Sequence, residues 1–241
     1  MFIMDVSKSS AAGAEISSYL LEVEQRIKEW YTGMIDIKVK HRAGDEIIFI
    51  AQGYPTAYIT AFFISRLWKY ERHMPYFGLA YGKIDDKVKN LDVEKWIHPI
   101  VKQARMASDS LKMEQKGRET FLFRLEAENK ETEMLLNRVV RLQHALETQQ
   151  TEVQRLVCSM YLIFQKQNLI ARLLGKSAPT IYSHFKKGHC ELILDSYKEV
   201  RIVLDSYQAK ELPSNDIVDS GLLEAEIRKI IRKQPGIYLT I

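Results

Sequence analysis

Residues 167–187 constrain the fold of this chain more than any other segment, because a small residue, a glycine and an isoleucine stand there at fixed spacing. Ala171 allows two helices to cross closely. Gly175 follows at the position where a sharp turn needs a residue that tolerates positive φ. Ile181 lies where the second helix must press an apolar side chain onto the first. The segment therefore predicts two short helices joined by a tight turn.

The spacing is that of bacterial helix-turn-helix proteins, in which the second helix enters the major groove of DNA. Ser177 is placed to cap that helix, and Pro179 falls in its first turn, where its missing N–H is harmless. Lysines neutralise phosphates, whereas hydroxyl and imidazole groups reach the edges of bases. We therefore expect double-stranded DNA as a partner, contacted by Ser177, Thr180, Tyr182, Ser183, His184, Lys186 and Lys187.

The charge around this segment favours DNA binding. Residues 165–190 contain five Lys or Arg and no Asp or Glu, although the whole chain carries a formal net charge of only +4. Acidic side chains there would repel a duplex. Two alternatives stay open: a helical hairpin without a DNA role, and an adaptor that uses the hairpin to bind another protein.

The first half of the chain alternates between strand and helix patterns. Apolar or alternating runs predict strands, and apolar residues at helical spacing predict helices. The strands are expected near residues 2–6, 35–40, 47–50, 77–84 and 121–125, and the helices over 14–30, 55–70 and 96–111. This β-α-β-β-α-β-α-β order is the split β-α-β arrangement of ferredoxin-like folds.

From Asn129 onward the pattern is helical, apart from residues 237–241, which could add an edge strand. The chain is therefore expected to be an α+β protein of three segments. An α/β domain covers residues 1–128, a helical linker and helix-turn-helix domain cover 129–210, and a helical tail covers 211–241. A length of 241 residues is enough for two modest domains that each bury a core.

Apolar side chains between residues 135 and 163 recur at alternating steps of four and three, the spacing of a coiled-coil seam. This seam consists of Leu135, Val139, Leu142, Leu146, Gln149, Val153, Leu156, Met160 and Ile163. One interpretation is a long dimerising helix that links two domains. The other is one helix, or two consecutive helices, packed on its own chain, with Thr148 available as a cap. We expect a homodimer, formed through this seam or through the N-terminal domain, because most helix-turn-helix proteins bind paired half-sites.

Carboxylates are predicted to converge at one end of the N-terminal sheet. Asp5 ends the first strand, and Asp45 and Glu46 follow Gly44 at the tip of a predicted hairpin. In a β-α-β-β fold this strand and this hairpin are neighbours, so Asp5 and Asp45 can face each other. Carboxylates that meet usually bind a cation, which predicts Mg²⁺, and Gly44 leaves room for a phosphate. Alternatively, Asp45 only makes the turn and Asp5 caps the following helix.

Four stretches of this half resemble class III nucleotidyl cyclases. Residues 2–9 resemble their first strand, whose aspartate binds metal, and residues 42–50 resemble the Gly-Asp-Glu hairpin that they share with diguanylate cyclases. Residues 77–84 and 98–107 resemble the next strand and a helix that runs through an Ala-Arg pair. The resemblance implies a metal or nucleotide site at Asp5, Gly44, Asp45 and Glu46, with Arg105 in the position of the transition-state arginine. On the residues alone, Arg105 is an ordinary surface arginine.

A cyclase-like domain followed by a helix-turn-helix is most similar to the SatD family, small bacterial proteins of regulatory character. Two residues depart from the cyclase patterns. Val101 stands where cyclases place an asparagine, and Ala43 stands where diguanylate cyclases have a second glycine. Ring closure depends on donors that are already in place around the transferring phosphoryl group.

We therefore expect a transcriptional regulator whose N-terminal domain binds Mg²⁺ or a nucleotide weakly, if at all, and catalyses no turnover. The alternative is an active nucleotidyl cyclase, or a related phosphotransfer enzyme, tethered to DNA. The presence of both aspartates of the cyclase pattern, Asp5 and Asp45, favours the enzyme. Val101, which stands in place of the cyclase asparagine, favours the regulator.

The composition is that of a cytoplasmic protein. Cys158 and Cys190 have no metal-ligand spacing and are expected to be reduced thiols. The apolar run before Asp5 is too short for the core of a signal peptide. The apolar stretch 57–68 is interrupted by polar residues and too short to span a bilayer, so it predicts a core helix and no membrane partner.

Overall fold

The computed structural model describes residues 1–7, 13–42, 44–84, 87–93, 95–114, 118–125 and 129–239. These residues form a mixed α+β structure, in agreement with the predicted class. The strands are β1 (Phe2–Val6), β2 (Ile37–Arg42), β3 (Glu46–Ala51), β4 (Pro75–Ala80) and β5 (Phe121–Arg124). The helices are α1 (Gly13–Tyr31), α2 (Tyr54–Arg66), α3 (Pro99–Met113), α4 (Lys130–Glu147), α5 (Glu152–Phe164), α6 (Gln167–Leu173), α7 (Ala178–Lys187), α8 (Cys190–Glu211), α9 (Ser220–Lys233) and α10 (Pro235–Tyr238).

The strands form one sheet in the order β2-β3-β1-β4-β5. Neighbouring strands are antiparallel from β2 to β4, and β5 lies parallel to β4. The central strand β1 pairs on both sides, with Ile3 opposite Ile48 of β3 and Gly78 of β4. Along the chain, strands and helices follow each other in the predicted order up to β5.

Alternate residues of β1 point to opposite faces of the sheet. Phe2 belongs to the main apolar core, which includes α1 and α2, whereas Ile3 belongs to a smaller cluster with residues of α3. Asp5 also faces α3, because Ser108 of that helix donates a hydrogen bond to it. Gly78 permits the close approach of α3, since a Cβ there would lie 2.3 Å from backbone atoms of the helix. Helix α3 is thereby placed directly over the end of β1.

The C-terminal helices pack on the other face of the sheet. Helix α8 contacts both α2 and α4, and the rings of Tyr197 and Phe62 stack with their centroids 4.1 Å apart. Helix α4 packs on β5, where the Asn137 amide bonds the backbone N–H and C=O of Phe123. One buried apolar cluster extends from β1 to α10. The three predicted segments therefore share a core, and their boundaries at residues 128 and 210 stay a prediction.

The predicted seam does not lie on one continuous helix. Helix α4 ends at Glu147, and α5 begins after Thr151, whose hydroxyl and backbone form a capping box with Gln154. The long-helix interpretation is therefore wrong, and the chain has two consecutive helices packed on itself. The cap is Thr151 rather than Thr148. On α4, Leu135 and Leu142 of the seam are 62% and 61% exposed, whereas Val139 and Leu146 are partly buried against the core.

Two other expectations concern apolar segments. The edge strand predicted over 237–241 is wrong at residues 237 and 238, which belong to the short helix α10 that Pro235 starts; residues 240 and 241 lie outside the described part of the chain. Helix α2 is buried along its whole length, as expected of a core helix. Across the ranges that the structure describes, no helix has both the length and the apolar character that crossing a membrane requires.

Candidate functional site

Helices α6 and α7 cross at the turn that the sequence predicts. Gly175 adopts a φ of +60°, and the next N–H, from Lys176, bonds the carbonyl oxygen of Ala171 at 2.9 Å. Ile170 of α6 and Ile181 of α7 are fully buried between the helices. Helix α5 packs against both of them, so α5, α6 and α7 form a three-helix unit.

The start of α7 is held by its own cap. The Ser177 hydroxyl accepts the backbone N–H of Thr180 at 3.3 Å, and the two hydroxyl oxygens lie 2.8 Å apart. Both side chains are exposed, yet each hydroxyl already has a partner. Ser177 and Thr180 therefore fix the start of α7. Their hydroxyl groups still have hydrogens or lone pairs that can bond a ligand.

The outer face of α7 brings the remaining predicted DNA contacts together. Tyr182 is 54% exposed, and Ser183 and His184 are half-buried beside it. Lys186 and Lys187 are exposed at the end of the helix. The Nζ of Lys186 lies 2.6 Å from Glu191 of α8, and this hydrogen bond raises the pKa of Lys186.

Three further basic side chains flank this face. Lys166, Arg172 and Lys176 are exposed before, on and after α6. Their charge belongs to the acid-free stretch 165–190, but the sequence pattern does not predict them as DNA contacts. We define the exposed residues Lys166, Arg172, Lys176, Ser177, Thr180, Tyr182, Lys186 and Lys187, together with the half-buried Ser183 and His184, as the α6–α7 surface.

Asp5, Asp45 and Glu46 lie near enough to one another at the far end of β1 for their charges to interact. Asp5 is only 6% exposed, and its Oδ2 accepts the hydroxyl of Ser108 at 2.6 Å. Burial raises the pKa of Asp5, the hydrogen bond from Ser108 opposes this shift, and the charges of Glu46 and Asp45 add to it. The hydrogen bond goes to α3, so the structure gives Asp5 a role other than capping the helix that follows β1.

Glu46 is neutralised by arginines. Arg105 Nη2 lies 2.9 Å from Glu46 Oε1, and Arg105 Nη1 bonds the other carboxylate oxygen. Arg42 Nη1 adds an ion pair to Glu46 at 3.6 Å. The bonds to Glu46 raise the pKa of Arg105. Arg105 is therefore a partner of the carboxylate cluster rather than an isolated surface residue.

This donor set does not fit an Mg²⁺ ion as it stands. Mg²⁺ binds oxygen ligands in a strict octahedral geometry. Ser108 donates to one oxygen of Asp5, and Arg105 bonds both oxygens of Glu46. In the described residues, no group of three or more His, Cys, Asp or Glu is arranged to hold a metal. Gly44 turns the hairpin with a φ of +106° and has open space around it.

A cavity of about 430 Å³ lies at the opposite end of the sheet. Met1, Gly53, Tyr54, Tyr81 and Lys87 are among its lining residues. Since Met1 and Asp5 lie at opposite ends of β1, this cavity is separate from the carboxylate cluster.

Comparisons with known proteins found no matching family model, no matching curated protein and no matching solved structure. The resemblance to nucleotidyl cyclases and to the SatD family therefore rests on the short stretches of sequence described above.

Proposed function

We propose that this chain is a DNA-binding transcriptional regulator in which α6 and α7 form a helix-turn-helix. The observation that carries the proposal is the turn at Gly175, which holds α7 on α6 through the buried Ile181; neither of these two helices contains Asp or Glu. Helix-turn-helix proteins insert the N-terminal part of the second helix into the major groove.

The α6–α7 surface supplies both kinds of contact that such binding needs. Lys187, Arg172 and Lys176 are exposed cations that can neutralise phosphates. Tyr182, Ser183 and His184 of α7 supply hydroxyl and imidazole groups of the kind that contact base edges. Ser177 and Thr180 hold the first turn in place, so their contribution is to position the backbone N–H groups toward a phosphate.

For the N-terminal domain we propose a ferredoxin-like, nucleotidyl cyclase-like fold with a degenerate site. The strand order with β1 at the centre supports the fold, and the pairing of Arg105 with Glu46 supports the loss of an open metal site. The domain then serves the regulator as a dimerisation or weak ligand-binding unit in the cytoplasm. A cyclase-like domain followed by a helix-turn-helix is the architecture that the resemblance to the SatD family implies.

The second candidate is an active nucleotidyl cyclase, or a related phosphotransfer enzyme, that is tethered to DNA. One observation favours it: Asp5 and Asp45 are close enough for their charges to interact at the end of β1. The test is to incubate the protein with ATP or GTP and Mg²⁺ or Mn²⁺ and to separate the products by chromatography. If the wild type forms a cyclic product and Asp5→Ala does not, the protein is an enzyme, and the regulator proposal is wrong.

The leading proposal is tested by titrating random and genomic duplex DNA with the protein at two salt concentrations. Fluorescence anisotropy of labelled DNA reports the affinity, and its salt dependence reports the number of phosphate contacts. We expect binding that weakens steeply with salt and a tighter complex with a subset of genomic fragments. No binding at the lower salt concentration would refute the proposal.

A further inference from the structure

A chain of hydrogen bonds inside the protein joins the end of α2 to the end of α7. Its centre is Gln150, which lies half-buried in the turn between α4 and α5. The Oε1 atom of Gln150 accepts a hydrogen bond from Arg66 Nη2 at 3.2 Å, and its Nε2 atom donates one to the carbonyl oxygen of Gly188 at 2.6 Å. Arg66 is the last residue of α2, and Gly188 is the C-cap of α7. We call Arg66, Gln150 and Gly188 the α2–α7 link.

The Arg66 end of the link is firmly held. The side chain of Arg66 has no exposed surface, so its charge must find partners inside the protein. Its Nη2 also donates to the carbonyl oxygen of Arg155 at 3.0 Å, and its Nη1 lies 3.6 Å from a carboxylate oxygen of Glu147. The Arg155 guanidinium donates to the carbonyl oxygen of Ser65 at 2.6 Å, and the Ser159 hydroxyl donates to that of Arg66 at 2.7 Å. These bonds fix the end of α2 against α5.

The Gly188 end of the link lies at a tightly packed corner. Carbonyl groups in the last turn of a helix have no partner within that helix, and Gln150 supplies one for Gly188. A Cβ at Gly188 would lie 2.8 Å from Gln154 Cβ, so the end of α7 lies directly on α5. His189 follows with a φ of +51°, and α8 begins at Cys190. The link therefore acts on α7 where the chain changes direction.

We propose that Gln150 is a positioning residue for DNA recognition: held by Arg66, it fixes the direction of α7, so that the α6–α7 surface depends on the N-terminal segment. This inference rests on the proposed function, in which α7 enters the major groove. Hydrogen bonds to base edges weaken steeply when their distance or angle changes. The attraction of exposed lysines for phosphates falls slowly with distance. A shift of α7 therefore reduces specific binding more than non-specific binding.

Two substitutions of Gln150 break the link in different places. Gln150→Glu keeps an acceptor for Arg66, and the two nearby arginines favour its ionised form, which has no N–H for the Gly188 carbonyl. We expect this variant to melt close to the wild type. Gln150→Met has a similar shape but bonds neither partner, and it should melt at a lower temperature. Gln149→Glu, which adds the same charge at an exposed position of the same turn, is the matched control.

Hydrogen exchange measured by mass spectrometry tests the link without DNA. In Gln150→Glu, we expect amides at the end of α7 and the start of α8 to exchange about fivefold faster, as the loss of one hydrogen bond implies. Amides of α2 and α5 should keep their wild-type rates, and Gln149→Glu should match the wild type throughout. Unchanged exchange at the end of α7, or an equal increase in α2, α5 and α7, would overturn the proposal. If either variant of Gln150 does not fold, the other decides.

Fluorescence anisotropy then tests the role in recognition. The duplexes are the genomic fragment that the wild type binds most tightly and a random sequence of the same length, at one salt concentration. Gln150→Glu should lose about fivefold or more in affinity for the genomic fragment and keep its affinity for the random duplex. Gln149→Glu should bind both duplexes like the wild type.

Two results of the titration would overturn the role of Gln150 in recognition. One is an equal loss of affinity for both duplexes, which is what a smaller folded fraction causes. The other is a wild type that binds both duplexes equally well. If exchange at the end of α7 changes as expected but the wild type binds neither duplex, the α2–α7 link stands and the proposed function fails.

Discussion

Arg105 and Glu46 form a two-point ion pair across the end of the sheet, with Arg105 Nη2 2.9 Å from Glu46 Oε1. The charge of Arg105 also interacts with that of Asp5, and Arg42 adds a second ion pair to Glu46. The pair therefore explains how the carboxylates can converge without a bound cation. It also closes the position that a metal would need.

Removing this guanidinium should expose the carboxylate cluster. Arg105→Ala leaves Glu46 beside Asp5 and Asp45, and we expect the free energy of unfolding to fall by about 1 kcal/mol, since the arginine is partly exposed. Mg²⁺ should then stabilise the variant more than the wild type. Thermal melts with and without Mg²⁺ measure both effects. Lys102→Ala, an exposed position on the same helix, is the control, and equal melts for the two variants would contradict the explanation.

The raised pKa of Asp5 predicts how stability depends on pH. The folded state binds the Asp5 proton more tightly than the unfolded state, so stability falls as pH rises from 3.8 through the higher folded pKa. Asp5→Asn keeps an acceptor for Ser108 and cannot ionise. We expect it to be more stable than the wild type at neutral pH, with a flatter profile above pH 3.8. Urea unfolding across pH tests this, with the exposed Asp92→Asn as control.

Much of the fold could be predicted because its signals are local. Apolar runs mark β1 and β5, and the Ala171–Gly175–Ile181 spacing marks the α6–α7 crossing, since each depends on residues a few positions apart. The pairing of β1 with β3, which brings the charges of Asp5 and Asp45 within reach of each other, is that of the split β-α-β pattern. These features required no knowledge of long-range packing.

Other features depend on competition between signals or on distant residues. The heptad spacing continues through the break between α4 and α5, so it conceals the capping box of Thr151 and Gln154 that stops the helix. The sequence contains the box as Thr-x-x-Gln, but the heptad spacing around it is the stronger pattern and favours one continuous helix. The pairing of Arg105 with Glu46 has no local signal, because the two residues stand far apart in the sequence and meet only when α3 packs on the sheet.

Replacing Gly175 with a residue that has a Cβ should destabilise the turn between α6 and α7. A Cβ there meets no atom within 4 Å, so the cost of Gly175→Ala comes only from its φ of +60°. We expect a loss of about 1–2 kcal/mol in the free energy of unfolding, the cost of a left-handed conformation for an L-residue. Gly236→Ala, also in open space and without a positive φ, should be neutral or slightly stabilising. Equal losses in urea unfolding would contradict this account.

The outward part of the predicted seam offers a surface for a homodimer. Leu135 and Leu142 lie on one side of α4, and both are more than half exposed. If the dimer forms there, Leu142→Asp should give a monomer at tens of micromolar in sedimentation velocity, because a charge cannot be buried unpaired at an interface. Leu222→Asp, on an equally exposed leucine of α9, should leave the dimer intact. A dimer that survives both changes would instead involve the N-terminal domain.

The role of the α6–α7 surface in DNA binding is tested most sharply at Lys187. Lys186 is already paired with Glu191, whereas Lys187 forms no ion pair with another residue in the described part of the chain. A single phosphate contact contributes about 0.9 to the slope of log K against log salt, which amounts to roughly fivefold in affinity near 0.15 M salt. Lys187→Ala should therefore weaken binding by about that factor on every duplex and make the slope shallower by about 0.9.

The matched control is Lys89→Ala, since Lys89 is an equally exposed lysine on the turn Val88–Asn90 of the N-terminal segment. Its substitution removes the same charge from the chain but leaves the α6–α7 surface unchanged. If both variants lose affinity equally, the binding reflects net charge and not the helix-turn-helix. If only Lys187→Ala loses affinity and its salt slope falls, α7 contacts the DNA backbone. The titration of wild type and both variants at four salt concentrations, on one duplex, distinguishes these outcomes.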